Sequence, residues 1–303
     1  MDRPIDFLFT GFEERRIELD GVELAVLTGG SGPAVLLLHG YPQTRAAWHR
    51  IAPMLARHHA VVLPDLPGYG LSRILGAPEG SGSKRWMAQR LHALMQSLGH
   101  ERFIVVGHDR GGRVGYRLAL DFPDAVTGFA SITVVPTPEM WEGTSKAFGM
   151  GAWHWFMMAQ PTPLPELLMA ASPRMLIDLT LDKMAGGLDK LHPLALEDYR
   201  TAFENPDVRH AMCEDYRAGA TTDEEDDLAD RSAGRRITAP VLLLWEAGRR
   251  YGGGREPLEI WTDWADDVEG EGIPGGHLLP ETAADEVLAS LLPFLGRITN
   301  GTG

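Results

Sequence analysis

The sequence predicts an α/β protein in which a mostly parallel sheet is covered by helices and interrupted by a helical insertion. Short, continuous apolar runs at 35–38 and 103–106 are typical of strands that are buried on both faces of a sheet. Between them, residues 85–98 have the apolar spacing of an amphipathic helix. This alternation of strands and helices stops after residue 136 and resumes at residue 241, so the residues in between are expected to form an insertion.

The individual elements can be placed in order along the chain. Asp20-Gly21 is a two-residue hairpin signal that joins the first two predicted strands. The predicted strands comprise residues 15–19, 22–28, 35–38, 60–63, 103–106, 129–135 and 241–245. The predicted helices outside the insertion comprise residues 47–57, 85–98, 114–120 and 283–295. Because helices separate most of the strands, the sheet is expected to be mainly parallel.

The insertion has its own composition. Residues 137–236 contain no apolar run that resembles a strand, and they are rich in Met, Trp, Pro and Leu. We expect several short helices there, forming a cap on a core made of residues 1–136 and 237–303. The acidic run at 223–227 has no neighbouring histidine, so we interpret it as the solvated start of a helix and not as a metal site.

Composition and charge limit the compartment and the partners. The chain has 303 residues, of which 44% are hydrophobic, and a formal net charge of −14, which argues against nucleic acid or an anionic membrane as a partner. No stretch approaches the roughly 20 apolar residues of a membrane helix, and the first residues do not resemble a signal peptide. A single cysteine, Cys213, fits a reducing compartment, so we expect a cytoplasmic protein. No metal cluster or dinucleotide fingerprint is evident, and neither a metal nor a cofactor is expected.

One five-residue segment carries the main chemical signal. Gly107-His108-Asp109-Arg110-Gly111 lies between a predicted strand and a predicted helix, which is the setting of a nucleophile elbow with aspartate in the central position. The alternative is a glycine-rich turn whose aspartate only caps the helix. A carboxylate that displaces a leaving group from carbon forms an ester, which water can then cleave. The segment therefore predicts substitution at carbon, with halide displacement and epoxide opening both open.

Two further features would complete this chemistry. His277 follows a glycine-rich loop before the last helix, and its position makes it the best of 11 histidines to activate water against the ester. The backbone N–H groups of Tyr41 and Arg110 would stabilise the oxyanion that forms in this step, because they follow a buried strand and the nucleophile respectively.

Several longer motifs carry a family resemblance. They are HGYPQT at 39–44, DLPGYG at 65–70, GHDRGGRVGY at 107–116, and MCEDYRAGA at 212–220 in the insertion. In these motifs the chain resembles the haloacetate (fluoroacetate) dehalogenases of the α/β-hydrolase fold, and the similarity extends over nearly the whole length. The resemblance implies an α/β-hydrolase fold, hydrolytic dehalogenation of a short 2-haloacid, and a homodimer.

The resemblance also implies roles for five side chains. Arg110 and Arg113 would bind the carboxylate of a small anionic substrate, since a guanidinium pairs with a carboxylate through two hydrogen bonds. His154, Trp155 and Tyr216 would donate hydrogen bonds to the departing halide from imidazole, indole and phenol groups. The alternative for the two arginines is a surface position or pairing along a helix, and for the other three residues it is ordinary packing of the cap.

The sequence departs from the family at the acid that should orient the histidine. The expected position holds Thr133, and the other usual location offers only Glu246, which follows its strand closely. Threonine cannot offset the charge of an imidazolium, so we expect slow turnover or an ester that accumulates on Asp109. Two other functions remain open: an epoxide hydrolase, and a relative that keeps the fold without catalysis.

Overall fold

The sheet is the frame of the molecule. The computed structural model describes residues 7–76, 78–251 and 253–300, and within them nine strands form one sheet. The strands are β1 (Glu13–Leu19), β2 (Val22–Gly29), β3 (Ala34–Leu38), β4 (Ala60–Pro64), β5 (Arg73–Ile74), β6 (Phe103–His108), β7 (Val126–Ile132), β8 (Val241–Glu246) and β9 (Val268–Ile273).

The order of the strands brings the predicted motifs to one edge. The order is β1-β2-β4-β3-β6-β7-β8-β9, with β5 paired to β2. The pairs of β2 with β1, β4 and β5 are antiparallel, whereas the neighbours from β4 to β9 are parallel. Because parallel strands end at the same edge, the loops after β3, β6 and β7 lie side by side. This architecture confirms the predicted α/β-hydrolase fold.

Helices cover the sheet and fill the long connection between β7 and β8. They are α1 (Ala52–Leu55), α2 (Lys84–Ser97), α3 (Arg110–Asp121), α4 (Thr137–Glu142), α5 (Lys146–Gly151), α6 (Trp153–Met158), α7 (Leu164–Ala170), α8 (Pro173–Ala185), α9 (Pro193–Glu204), α10 (Pro206–Gly219), α11 (Thr222–Ser232), α12 (Pro257–Trp261), α13 (Leu279–Thr282) and α14 (Ala284–Asn300). The helices α4–α11, here called the inserted helices, occupy the predicted insertion; their standing as a separate cap domain stays a prediction. None of the described helices combines the length and apolar character needed to cross a bilayer.

Several predicted boundaries are wrong. Strand β9 was not predicted, because its alternating Val-Glu-Gly-Glu-Gly sequence lacks an apolar run. Strand β7 ends at Ile132 and not at residue 135, because Thr133 turns the chain with a φ of 63°. The predicted helix 47–57 is a 3-10 turn, Arg45–Trp48, followed by the single turn of α1.

The acidic run 223–227 starts a helix as predicted, but it is not solvated throughout. Asp223 and Asp227 are buried, and so is Asp230 one turn further along α11. Asp223 accepts a hydrogen bond of 2.8 Å from Lys84 Nζ, and Asp227 accepts one of 2.5 Å from the Tyr116 hydroxyl. These side chains face cations and hydroxyls of α2 and α3, which offset part of the cost of burying them. At Asp227 burial still outweighs Tyr116 and Arg117 and raises the pKa to about 7.

Candidate active site

Asp109 occupies a strained turn between β6 and α3. Its φ is 49° and its ψ is −119°, a backbone conformation that residues other than glycine rarely adopt. Asp109 N donates to Ile132 O (3.2 Å), and Asp109 O accepts from Gly112 N (3.0 Å), which fixes the turn on both sides. Strain of this kind persists where the surroundings determine the conformation, and it is common at functional sites.

The carboxylate of Asp109 meets two of the predicted groups. Its Oδ1 accepts a hydrogen bond of 2.8 Å from Tyr41 N, and its Oδ2 lies 3.3 Å from His277 Nε2. Gly40 makes this approach feasible, because a Cβ on it would lie 2.5 Å from Oδ1 and 2.7 Å from Arg110 N. The carboxylate is therefore held at the backbone corner that was predicted to bind an oxyanion.

The electrostatic setting keeps Asp109 ionised. Burial by itself would raise the pKa of Asp109, but the hydrogen bond and charge of His277 outweigh it and lower the pKa well below its usual range. The side chain is only 9% exposed, so it carries little hydration that would have to be removed before attack.

The backbone of His277 is anchored from two directions. His277 N donates to Met184 O on α8 (3.0 Å), and His277 O accepts from His108 Nε2 (2.8 Å). Burial, followed by the proximity of His277, lowers the pKa of His108 to about 4, so the neutral ring acts as a donor at Nε2. Sequence reasoning missed His108, although it is the residue immediately before the nucleophile.

Among the described residues, neither Thr133 nor Glu246 forms a hydrogen bond with the His277 ring. The Thr133 hydroxyl donates to Ile132 O (2.8 Å), and Thr133 N donates to Leu244 O (2.8 Å). Glu246 ends β8, and its carbonyl accepts from Arg249 N (2.9 Å). Within the described residues, the only side-chain hydrogen bond of the His277 ring is therefore the one to Asp109.

The two arginines of α3 are buried and differ in their partners. Arg110 Nε donates to Asp215 Oδ1 (2.8 Å) and Arg110 Nη2 donates to Asp215 O (2.8 Å), so a protein carboxylate already holds this guanidinium. Arg113 Nη1 donates to Thr137 Oγ1 (3.0 Å), and its Cζ lies 4.8 Å from the Trp155 ring centroid. The simple prediction that both arginines are free to bind a carboxylate overlooked Asp215, which lies 105 residues away in sequence.

The three predicted halide donors form an aromatic wall beside the nucleophile. The Tyr216 ring centroid lies 5.7 Å from those of both Trp155 and His154, and the His154 ring stacks on Tyr41 at 5.4 Å. Burial lowers the pKa of His154 to about 4, which leaves the ring neutral with one N–H at neutral pH. The structure thus brings these residues together, in contact with the Arg110 guanidinium 4.2 Å above Tyr216.

Three buried donors, one in this wall and two on the arginines beside it, have no partner among the described atoms. Among the described atoms, Arg110 Nη1, Arg113 Nε and the Tyr216 hydroxyl have no hydrogen-bond partner. A buried polar group without a partner is costly, and in native proteins such groups call for an explanation such as an absent ligand. Two of the three belong to cations, so an anion is the matching ligand.

Comparison with known proteins identifies the family of the chain. A family model described as the alpha/beta hydrolase fold matches residues 33–247. This chain belongs to the α/β-hydrolase family. The fluoroacetate dehalogenase of Burkholderia sp. is 39% identical over 97% of both chains, so the predicted dehalogenase resemblance is confirmed.

Other relatives of this hydrolase carry a second activity in their names. A soluble epoxide hydrolase of Corynebacterium sp. is 29% identical over 91% of this chain and 94% of its own. A solved structure from Pseudomonas aeruginosa, provisionally called an epoxide hydrolase, is 53% identical over 96% of this chain and 97% of its own, with a TM-score of 0.93. A variant of the latter with a threonine replaced by aspartate was solved with bound MFA.

One group of side chains on this hydrolase has the spacing of metal ligands, and it lies outside the wall. Ligand atoms of Glu166, His210 and Glu214 all lie within 4.8 Å of one another. Arg217 already pairs with Glu166 (2.8 Å) and with Glu214 (2.5 Å), so a cation of the protein itself already contacts both carboxylates. Sequence reasoning missed this group because Glu166, on α7, is separated by 44 residues or more from His210 and Glu214, which lie one turn apart on α10.

Proposed function

We propose that this hydrolase converts a short 2-haloacid, such as a haloacetate including fluoroacetate, into the 2-hydroxy acid and halide through an ester on Asp109. The observation that carries the proposal is an ionised, buried carboxylate on the elbow together with three buried donors, on Arg110, Arg113 and Tyr216, that have no partner among the described atoms. An anionic substrate with a leaving group would satisfy all of these groups together.

The first step is substitution at carbon. Asp109 Oδ2 attacks the carbon that bears the halogen, a C–O bond forms, and the halide leaves with the electron pair of the C–halogen bond. Oδ1 becomes the ester carbonyl and keeps its hydrogen bond from Tyr41 N. Arg110 and Arg113 bind the substrate carboxylate, while His154, Trp155 and Tyr216 stabilise the halide. Converging donors matter most for fluoride, which is a poor leaving group.

The second step regenerates the nucleophile. His277 Nε2, which lies 3.3 Å from Oδ2, takes a proton from water while the water oxygen attacks the Asp109 carbonyl carbon. The N–H groups of Tyr41 and Arg110 stabilise the resulting oxyanion at Oδ1. Its collapse breaks the bond to the 2-hydroxy acid, whose oxygen takes up a proton. Thr133 occupies the position of the orienting acid, so this step is the slow one.

Incubation with chloroacetate and fluoroacetate, followed by intact-mass measurement and halide assay, tests the proposal. We expect an adduct on Asp109 together with released halide, and neither in the Asp109→Asn variant at early times. Diol formation from an epoxide without halide release would instead favour an epoxide hydrolase, as the names of several relatives suggest. If no substrate gives an adduct or product, the chain is a non-catalytic member of the family.

The homodimer stays a proposal with one supporting feature. Exposed apolar side chains concentrate on the inserted helices, namely Met150, Trp153, Leu164, Leu167, Leu168, Met175 and Leu179. Large exposed apolar patches mark interaction surfaces. Light scattering of the purified protein and of Leu167→Glu would decide whether a dimer forms through this face.

A further inference from the structure

Beneath the aromatic wall lies a fully buried group of charges, here called the Asp215 cluster: Asp215, Arg110, Lys84, Asp223 and Tyr69. Arg110, Lys84 and Asp215 are each at most 1% exposed. Tyr69 donates to Asp215 Oδ2 (2.7 Å), while the other carboxylate oxygen contacts both Arg110 and Lys84. All of the oxygens and most of the cationic donors in the cluster are therefore satisfied inside the protein.

The cluster is also balanced in charge. Lys84 Nζ contacts Asp215 and lies 2.8 Å from Asp223 Oδ2, so two cations face two carboxylates. Burial would raise the pKa of Asp215, but the charges of Arg110 and Lys84 lower it, which keeps the carboxylate ionised. The positive charge of Arg110 is thus largely cancelled within the cluster, although its Nη1 still lacks a partner.

Arg113 is in a different electrostatic position. Its hydrogen-bond partner is the neutral hydroxyl of Thr137, and across the described residues no carboxylate oxygen lies within ion-pair distance of its guanidinium. Asp227, the nearest acid through Thr137 and Tyr116, already accepts from Tyr116 (2.5 Å) and lies 3.4 Å from Arg117 Nη1. Arg113 is therefore a buried cation with no ion pair among the described residues; it packs against Trp155 of the aromatic wall and acts on Asp227 only at longer range.

We propose that Asp215 is a positioning residue that fixes Arg110 beside the nucleophile and takes up its charge, so that Arg113 alone selects for the charge of the substrate. Arg110 supplies a hydrogen-bond donor at a fixed place, and Arg113 supplies the attraction that distinguishes a carboxylate from a neutral group of the same shape. This inference rests on the proposed function, because it assigns roles within that site.

A fixed guanidinium is useful for a small substrate. A haloacetate has too few atoms to pay the entropy of ordering a long side chain, and preorganisation by Asp215 removes that cost before binding. Gly219, at the end of α10, makes room for the arrangement, because a Cβ there would lie 3.0 Å from Arg110 Nη2. The inserted helices thus supply both the carboxylate that orients Arg110 and the space that the guanidinium occupies.

The test compares a charged and a neutral molecule of equal size. The Kd of acetamide divided by the Kd of acetate, both measured by ligand-observed NMR, is the charge-selection ratio for binding. It requires no chemical reaction. The rate of ester formation on Asp109 with chloroacetate, divided by the rate with chloroacetamide, is the corresponding ratio for attack. Peptide mapping measures both rates. If the wild type shows charge selection in binding but forms no ester, the proposed function fails and this inference stands.

Arg113→Gln should lower the charge-selection ratio by about 10- to 100-fold, as expected for loss of a hydrogen bond to a charged partner. Arg113→Lys, the conservative variant, should restore most of the ratio. Neither change leaves a buried carboxylate unpaired, so both variants are expected to fold. A ratio in Arg113→Gln within threefold of the wild type overturns the proposal.

The Asp215 cluster is tested by a charge-balanced pair of changes. Arg110→Gln leaves Asp215 in excess and should lower the ratio, whereas Arg110→Gln with Asp215→Asn restores the balance and should return it to within about threefold of the wild type. Asp215→Asn alone should raise the ratio while slowing ester formation with both substrates, because Arg110 loses its anchor. A double variant as unselective as Arg113→Gln would show that the charge of Arg110 itself selects the carboxylate, and would overturn the proposal.

Discussion

The two sides of the nucleophile are held very differently. On the arginine side, the Arg110 guanidinium is fixed by a buried carboxylate and packs over an aromatic ring, and Asp215 is itself held by Lys84 and Tyr69. On the histidine side, the His277 ring makes one side-chain hydrogen bond within the described part of the chain, 3.3 Å to Asp109, and lies 5.4 Å from the His108 ring, while its backbone is anchored by His108. The guanidinium of Arg110, which serves the attack on substrate, is therefore held by more side-chain contacts than the ring of His277, which serves hydrolysis of the ester.

The largest expected effect is a complete separation of the two steps. His277→Asn should leave attack on chloroacetate within about tenfold of the wild-type rate and slow ester hydrolysis by about 10²–10⁴-fold, the range of general-base catalysis. Halide release would then stop at one equivalent per protein. Rapid-quench halide assay with intact-mass measurement follows both steps, and continued turnover in His277→Asn would assign the base to another group.

An acid at position 133 should improve the orientation of His277 and so speed hydrolysis of the ester. Thr133→Asp places a carboxylate at the expected acid position, and loss of such a group in a Ser-His-Asp site costs about 10⁴-fold. Because the backbone here is already set for threonine, we expect a smaller gain of about 10- to 10³-fold in ester hydrolysis, with unchanged ester formation.

Thr133→Asn is the matched control, because it separates charge from backbone strain. A β-branched residue at a φ of 63° is strained, and both Asp and Asn adopt this conformation more readily. Both variants should therefore unfold at a higher temperature than the wild type, but only Thr133→Asp should hydrolyse the ester faster. Equal rates in the two variants would remove the electrostatic explanation.

A smaller effect is expected at the backbone anchor of His277. His108→Leu removes the donor to His277 O and should slow ester hydrolysis by about tenfold, the value of one hydrogen bond. His108→Gln keeps an N–H donor and should retain most of the rate. If Thr133→Asp orients the ring independently, His108→Leu should cost less in that background; an equal cost in both backgrounds would mean that the two residues do not share a role.

The same contrast explains what could be predicted from the sequence. The elbow, the backbone N–H of Tyr41 and His277 lie in loops that directly follow strands or precede a helix, so local motifs locate them. The parallel sheet then brings these loops together. The pairing of Arg110 with Asp215 depends on how α10 packs against the elbow, and no local pattern encodes that packing.

The buried acids of α11 did leave a signal that was read wrongly. Asp223, Asp227 and Asp230 recur at the spacing of one helix face, and that face meets Lys84 and Arg117. A run of charges is usually solvated, so the base rate favoured the wrong interpretation. Strand β9 was also missed. It forms by pairing with β8 at the edge of the sheet, and its own sequence contains no apolar run.

A second group near His277 with incomplete hydrogen bonding is the carboxyl of Glu281, four residues further along the chain in α13. Glu281 is buried, and its Oε2 accepts from the Tyr199 hydroxyl (2.9 Å) and from Gln43 Nε2 (2.5 Å), while its Oε1 has no hydrogen-bond partner among the described atoms. Burial raises the pKa of Glu281 from 4.5 to about 8, although both hydrogen bonds oppose the shift. The folded protein therefore keeps a proton on this carboxyl at pH values where the unfolded chain has lost it.

The smallest expected effect follows from that proton. Between pH 4.5 and 8 the folded state binds more protons at Glu281 than the unfolded state, so its contribution to stability falls as the pH rises and becomes constant above the folded pKa. Residue 281 cannot titrate in Glu281→Gln. The Tm of this variant should therefore fall less than the Tm of the wild type between pH 5 and pH 8, and the two falls should differ by at least about 2 °C. Other titrating groups, including Asp227, are present in both proteins and cancel in the comparison. Parallel Tm curves over this pH range would show that Glu281 is ionised in the folded protein, and that the histidine side is weak only in how it holds the ring of His277.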